Sequence, residues 1–391
     1  MNTIRELQRR PWAQYLLPGV VVLAAALFPI FRPPLDGFMD DCILALAYVV
    51  MALGLNLVVG FAGLLDLGYV AFYAFGSMVV GWWASDFFTG AGGAEKGIHI
   101  GVTGFASTLP GIHVNFLLLL IGAMIVCAIA GAIIGLPTLR LRGDYIAIVT
   151  LAFGEIIGRI FANGDELTLI THYKLSNGRQ SISPIDAIDI PLLEPFDSAL
   201  NLRPYYWTVL ALVLVVLFVN IRLRDSKLGR AWIALREDEV AAASMGVPLV
   251  KTKLLAYATG GAFGGISGAF LGAYFSSVNA NSFQFGLSIF ILAMIILGGL
   301  GSIWGVVIGA VALSFVNTRL IPDVLDQGFV GQKLTDIGLD FNFTEISFGV
   351  FGFILVLMMV LRPEGILPER RRQMELTEGI GESEAVFEAR V

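Results

Sequence analysis

The chain has 391 residues, 57% of them hydrophobic and 14% charged, with a mean hydropathy of +0.80. Those values lie far outside the averages of soluble domains and make it an integral membrane protein. The net charge of −6 is small, with much of the acid after Met374, and points to no nucleic-acid partner. Cys42 and Cys127 stand far apart in apolar runs without metal spacing, so neither a disulfide nor zinc is indicated.

In chain order, Arg5, Arg9 and Arg10 precede an apolar run from Trp12 to Phe31. It is long for a signal peptide, and PIFRPP offers no small-residue cleavage site, so it reads as a retained first span. Further spans are predicted at Asp41–Val59, Leu67–Ala84, Asn115–Leu136, Tyr145–Ala162, Tyr205–Ile221, Leu254–Ser276, Phe285–Gly299, Ile303–Val316 and Ser347–Leu361. Each approaches the ~20 residues that cross about 30 Å of hydrocarbon. The fold class is therefore an all-α polytopic membrane protein with about ten transmembrane helices. Residues 1–362 form one transmembrane domain, and 363–391 form an acidic tail expected to be cytoplasmic and disordered.

Basic residues orient the bundle. Alternating the spans puts sixteen Lys and Arg on one side, among them Arg140, Arg142, Arg362 and Arg370, and seven on the other, among them Arg32, Lys174 and Arg203. Short basic loops stay cytoplasmic, which predicts both termini inside. The longer loops, Asp86–Val114 and Asn163–Pro204, then lie outside. They are expected to be partly ordered, and the second offers a platform for an extracytoplasmic partner.

The segment Arg222–Lys253 is the charged centre, with Arg222, Arg224, Lys227, Arg230, Arg236, Lys251 and Lys253. Glu237, Asp238 and Glu239 open a short helix, Ala241, Ala242 and Ala243 favour it, Gly246 suits a left-handed terminus, and Pro248 prevents continuation. Such a stub is either a solvated loop helix or a docking element for a soluble partner.

Glycines recur every fourth residue at Gly260, Gly264, Gly268 and Gly272, and again at Gly301, Gly305 and Gly309. These stripes let helices approach closely, and smooth faces also permit sliding. The glycine-rich turns Gly60–Gly68 and Gly298–Gly305 look alike. Asp66 is expected to cap the third span, and Asn56 to bond a neighbouring helix or line a pathway. Glu155 and Arg159 sit four apart within a span, an intrahelical pair or a functional one.

No span carries an acid or histidine relay, which disfavours proton coupling. No GxxxxGK[ST] loop is present, so any ATPase is another polypeptide. His or acidic clusters at span ends, expected of a membrane enzyme, are missing as well. Two alternatives stay open on the residues alone: an ATP-independent carrier or channel for a small neutral solute such as urea or an amide, and a non-transport assembly subunit.

Four blocks carry a resemblance: Gly54–Ser77, Leu136–Ile160, Asp225–Val247 and Leu292–Ala310. Together they resemble the M-type permease of branched-chain amino acid ABC importers, a family that also includes urea and amide permeases. EVAAASMG, Glu239–Gly246, is similar to the coupling-helix motif of importer permeases. The resemblance implies an importer-permease bundle that works by alternating access in the cytoplasmic membrane. It further implies two ABC ATPase subunits, which hold the ATP and Mg, so that this chain carries no cofactor. An H-type permease or a second copy of this chain, an extracytoplasmic binding protein and surrounding lipid complete the expected partners. Arg236, Glu237, Asp238, Glu239, Ala242 and Gly246 are the residues it assigns to ATPase contact. The loop THYKLSNGRQSISPID and both chain ends depart from the family pattern.

Overall fold

A computed structural model describes residues 19, 22–89, 97–139, 141, 144–170, 173–190, 195–196, 201–326, 347–361 and 365–367. The N-terminal arginines, Arg140, Arg142 and the acidic tail lie outside the described residues.

A short apolar helix, Val22–Phe31, precedes the bundle. Helix α1, Gly37–Asn56, starts at Asp36, whose side chain accepts from the Phe38 amide at 3.1 Å, and runs into a π-helical turn, Leu57–Phe61. The chain then loses helical form until α2, Val70–Trp83, so the predicted third span begins with three non-helical residues. Next come α3, Phe116–Thr138, and α4, Asp144–Ala162. Helix α5, Arg203–Asp225, continues four residues past the predicted end at Ile221, because its last turn carries Arg222 and Arg224, which favour a helix C-terminus. Two loop helices follow, α6, Lys227–Glu237, and α7, Glu239–Ser244. Helix α8, Leu249–Tyr274, starts five residues before the predicted span because Pro248 opens it. Helices α9, Phe285–Gly298, α10, Ile303–Phe315, and α11, Ser347–Leu361, complete the bundle, with a π-helical stretch, Val316–Asp326, after α10.

Among the described residues, six helices are long and apolar enough to cross a membrane alone, while Val22–Phe31, α2 and α9 are apolar but shorter. Burial separates centre from rim. The apolar windows of α1 and α8 are each 72% buried, against 39% for α3 and α10 and 33% for α4 and α5. Central α8 packs against α3, α2 and α1.

Glycine makes that position possible. A Cβ on Gly264 would stand 2.9 Å from Phe72 Cβ, one on Gly261 would stand 2.8 Å from the Cys127 carbonyl, and one on Gly268 would collide with the Tyr73 carbonyl. The expected every-fourth-residue stripe therefore lies at contacts inside this chain. Hydrogen bonds follow the close approach: the Tyr69 hydroxyl donates to the Gly260 carbonyl at 2.8 Å, and the Ser267 hydroxyl to the Ala47 carbonyl at 2.9 Å.

Beyond α2, the first long loop forms a three-stranded sheet. β1, Ala84–Ser85, is antiparallel to β3, Ile112–Val114, and β2, Ile98–Ile100, is parallel to it. The second loop holds the antiparallel pair β4, Thr168–Ile170, and β5, Tyr173–Lys174. The loops are stitched together where buried His113 Nδ1 lies 2.7 Å from Asp186 Oδ2.

Overpacking at the centre is expected to separate α2 from α8. Gly268→Val should destabilise the detergent-purified protein by about 1–3 kcal/mol or more, whereas Gly352→Ala, which meets no atom within 4 Å inside α11, should keep the thermal midpoint or raise it slightly. Equal midpoints for the two variants in a melting assay would refute this account of the packing.

Candidate functional site

The charged segment between α5 and α8 folds as a docked hairpin of helices. The Ser226 hydroxyl starts α6 by accepting from the Gly229 amide at 3.2 Å. Gly229, Trp232 and Leu235 are buried at helical spacing and turn one face of α6 toward the bundle. Trp232 is fully buried, and its indole donates to the Thr252 carbonyl at 2.9 Å, fastening α6 to the first turn of α8.

Arg236 makes the second fastening. Its guanidinium donates to the Gly60 carbonyl at 2.6 Å. Gly60 lies in the π-helical turn that ends α1, where carbonyls lack their usual helical partners. Gly63, at φ +69°, leaves room for the arginine stem, since a Cβ there would stand 2.6 Å from Arg236 Cγ. A residue expected at a partner contact thus grips this chain's own backbone.

The other expected residues fall into place around it. Glu237 ends α6. Asp238 caps α7, its Oδ1 accepting from the Val240 and Ala241 amides at 2.7 and 3.0 Å. Glu239 accepts a 2.6 Å bond from Lys253, whose side chain is only 4% exposed, so burial of the ammonium is balanced by a carboxylate. Ala242 is buried against the bundle. Gly246 has φ +86° with open space around it, so its backbone conformation, not crowding, calls for glycine. Together these contacts tie the hairpin to the bundle and leave Val240 and Met245 of α7 67% and 86% exposed. Sequence reasoning missed both. Both lie inside the Glu239–Gly246 motif, between residues that the sequence did single out.

Behind the hairpin the two glycine-rich turns meet. The Asn56 side chain is fully buried and accepts from the Gly301 amide at 3.0 Å, so its partner is a turn between two helices and not a helix. Asp66 does not cap α2. Its Oδ1 accepts from the Gly68 amide at 2.8 Å, closing a local turn, while the Ser288 hydroxyl accepts from the Val70 amide at 2.9 Å. The correction follows from the non-helical stretch before α2, which moves the helix start out of reach of Asp66. Gly68 packs on Thr150 and Gly154 of α4, so this stretch is covered by protein.

Glu155 and Arg159 pair on α4 at 3.8 Å, with side chains 43% and 81% exposed. Gly260, Gly264, Gly268 and Gly272 line the buried side of α8. At the far end of α8 a recess of about 300 Å³ is lined by Tyr73, Ser77, Gly272, Phe275, Asn279 and Phe283. Among the described residues no cluster of three or more His, Cys, Asp or Glu is placed to hold a metal.

The described helices make this a multi-pass helical membrane protein whose central loop hairpin is fastened to α1 and α8. A family model described as "Branched-chain amino acid transport system / permease component" matches residues 41–361. The high-affinity branched-chain amino acid transport system permease protein LivM of Escherichia coli is 35% identical over 388 residues, covering 94% of this chain and 78% of the relative. LivM of Salmonella typhimurium is 34% identical over 389 residues, covering 95% and 78%. The permease protein LivH of Salmonella typhimurium is 24% identical over 343 residues, covering 85% and 95%. No solved structure matches. The chain belongs to the branched-chain amino acid transport permease family, and is a transport subunit of the membrane, not an enzyme.

If Arg236 braces the hairpin, Arg236→Ala should raise amide hydrogen exchange across residues 238–247 while the thermal midpoint of the bundle changes little. Exchange at the wild-type level would show that Trp232 and Lys253 suffice.

Proposed function

We propose that the chain is the membrane-spanning permease subunit of an ATP-driven importer that carries branched-chain amino acids inward. The observation that carries this reading is the braced hairpin: α6 and α7 present Val240 and Met245 on a mount fastened to both α8 and the end of α1. A loop fastened at two points transmits force, whereas a solvated connector has no need of fastening. The names of the relatives supply the substrate class.

In this mechanism the basic hairpin lies in the cytoplasm, with both chain ends on the same side. The hairpin tip seats in one of two ABC ATPase subunits, which bind ATP and Mg. A second permease, H type or a copy, completes the membrane portion. A loaded extracytoplasmic binding protein docks on the strand-bearing loops. Closure of the ATPases moves the hairpin, and Arg236 and Trp232 deliver that movement to α1 and α8. The bundle passes between outward-open and inward-open states whose populations ATP biases. The half-polar recess beside Tyr73 and Asn279 offers an entrance that suits a zwitterion with an aliphatic side chain.

Met245→Asp is expected to cut copurification of the ATPase by about tenfold or more, as loss of a central apolar anchor does. Gly246→Val is expected to leave the ATPase bound but abolish substrate-stimulated uptake in proteoliposomes, because its positive φ penalises a β-branched side chain. Uptake at the wild-type level in both variants, without loss of the ATPase, would exclude the hairpin as the coupling element.

A further inference from the structure

Residues 182–186 of the second long loop cross the ends of α2 and α8 as a strap. Ile182 exchanges both backbone hydrogen bonds with Val278, just beyond α8, at 2.8 and 3.0 Å. The Ile185 amide donates to the Ser276 carbonyl at 3.1 Å, and the Asp186 amide donates to the Ala84 carbonyl, at the end of α2, at 2.8 Å. Ile182 and Ile185 are buried beneath, while Ser183 and Pro184 are exposed. Val278 is also a wall of the 300 Å³ recess beside Tyr73 and Ser77. The strap thus joins the two helices and backs one side of that recess.

A single ring holds it there. His113 of β3 is fully buried, and its Nδ1 lies 2.7 Å from Asp186 Oδ2. Its Nε2 faces the Pro110 carbonyl at 3.3 Å and Asp86 Oδ1 at 3.5 Å. That Asp86 oxygen is buried and has no hydrogen-bond partner among the described residues. With both carboxyl groups ionised, every one of these oxygens is an acceptor. A neutral imidazole has one N–H and one lone pair, so it satisfies one side and sets its lone pair against oxygens on the other. The imidazolium donates on both sides and stands between two carboxylates. Burial raises the Asp186 carboxyl above its ordinary range, and the bond from His113 opposes that shift. An ionised Asp186 therefore depends on the cation beside it.

Two further titratable groups stand near. The His99 ring stacks on His113 with centroids 5.4 Å apart, but it is exposed, and its Nε2 meets the Leu109 carbonyl at 3.0 Å, a contact that a neutral ring satisfies. Lys174, also exposed, lines a surface recess together with Asp86.

We propose that His113 is held as the imidazolium and acts as a proton-dependent latch on the strap. Protonated, it clamps residues 182–186 across the ends of α2 and α8; deprotonated, it releases them and frees that wall of the recess. The latched state gives the ring two carboxylate partners that the released state lacks, so it binds the proton more tightly. Latching is therefore complete at lower pH and is lost as pH rises. The latch belongs to the chain alone and stands whether or not the importer reading holds.

The test is amide hydrogen exchange on the full chain in lipid nanodiscs at about pH 6 and about pH 8.5, a span that covers the charge change of an imidazole. Rates are expressed as protection relative to the intrinsic exchange at each pH. Protection of the Ile182, Ile185 and Asp186 amides is expected to fall by about tenfold or more at the higher pH, while that of residues 260–270 in α8 stays constant. His113→Gln should show weak protection of the strap at both values, and His99→Gln should keep the wild-type response. If His113→Gln does not fold, Asp186→Asn, which keeps the ring and removes its carboxylate, is expected to lose the response in its place. Strap protection that is the same at both values in the wild-type chain would overturn the proposal. So would a response that persists in His113→Gln or Asp186→Asn, or one that disappears in His99→Gln.

Discussion

The close approach of α8 to three other helices is the constraint on which the bundle depends. A helix surrounded on all sides by large side chains keeps its neighbours 8–10 Å away. Here Gly260 and Gly264 admit Val58, Tyr69 and Phe72, while Gly261 and Gly265 admit Cys127. With no hydrophobic force between helices in lipid, such van der Waals contact and short hydrogen bonds supply the association. Tyr69 and Ser267 reach backbone carbonyls on facing helices only because the axes are close.

That packing also allows a non-helical stretch deep in the protein. Between the π-helical turn of α1 and the start of α2, backbone groups that a membrane would leave bare find partners. The Thr150 hydroxyl accepts from the Leu67 amide at 3.0 Å, Asp66 accepts from Gly68, and Ser288 accepts from Val70. Helices α4 and α9 thus complete a segment that cannot satisfy itself. Irregular backbone at this depth is tolerated where protein covers it, and transporters commonly use it near their passages.

Much of this was legible in the sequence, for identifiable reasons. Hydropathy located the apolar helices because burial in lipid demands long apolar runs, and four-residue glycine spacing announced the face of α8 because it matches a helical turn. Gly246 was read correctly from its place before Pro248. Other features were not legible. Leu67 and Tyr69 are apolar yet non-helical, and hydropathy does not report backbone form. Arg236 was assigned to a partner contact, but the carbonyl it grips, on Gly60, lies 176 residues upstream, and no local pattern encodes such a contact. Glu239 appeared to belong to an acidic helix start, whereas its partner Lys253 stands on the next helix. Asp66 was assigned to a helix because the non-helical residues after it were counted as a span.

The hairpin has a mechanical consequence. Trp232 and Arg236 sit one helical turn apart, yet they are tied to different members: the indole to α8, the guanidinium to the end of α1. A rigid rod pinned at two points to two separate bodies cannot be tilted without changing the angle between them. A push at Met245 is therefore not absorbed as loop motion. In the proposed mechanism it is passed to α1 and α8, whose contact is formed by the glycines of α8 and the side chains seated against them.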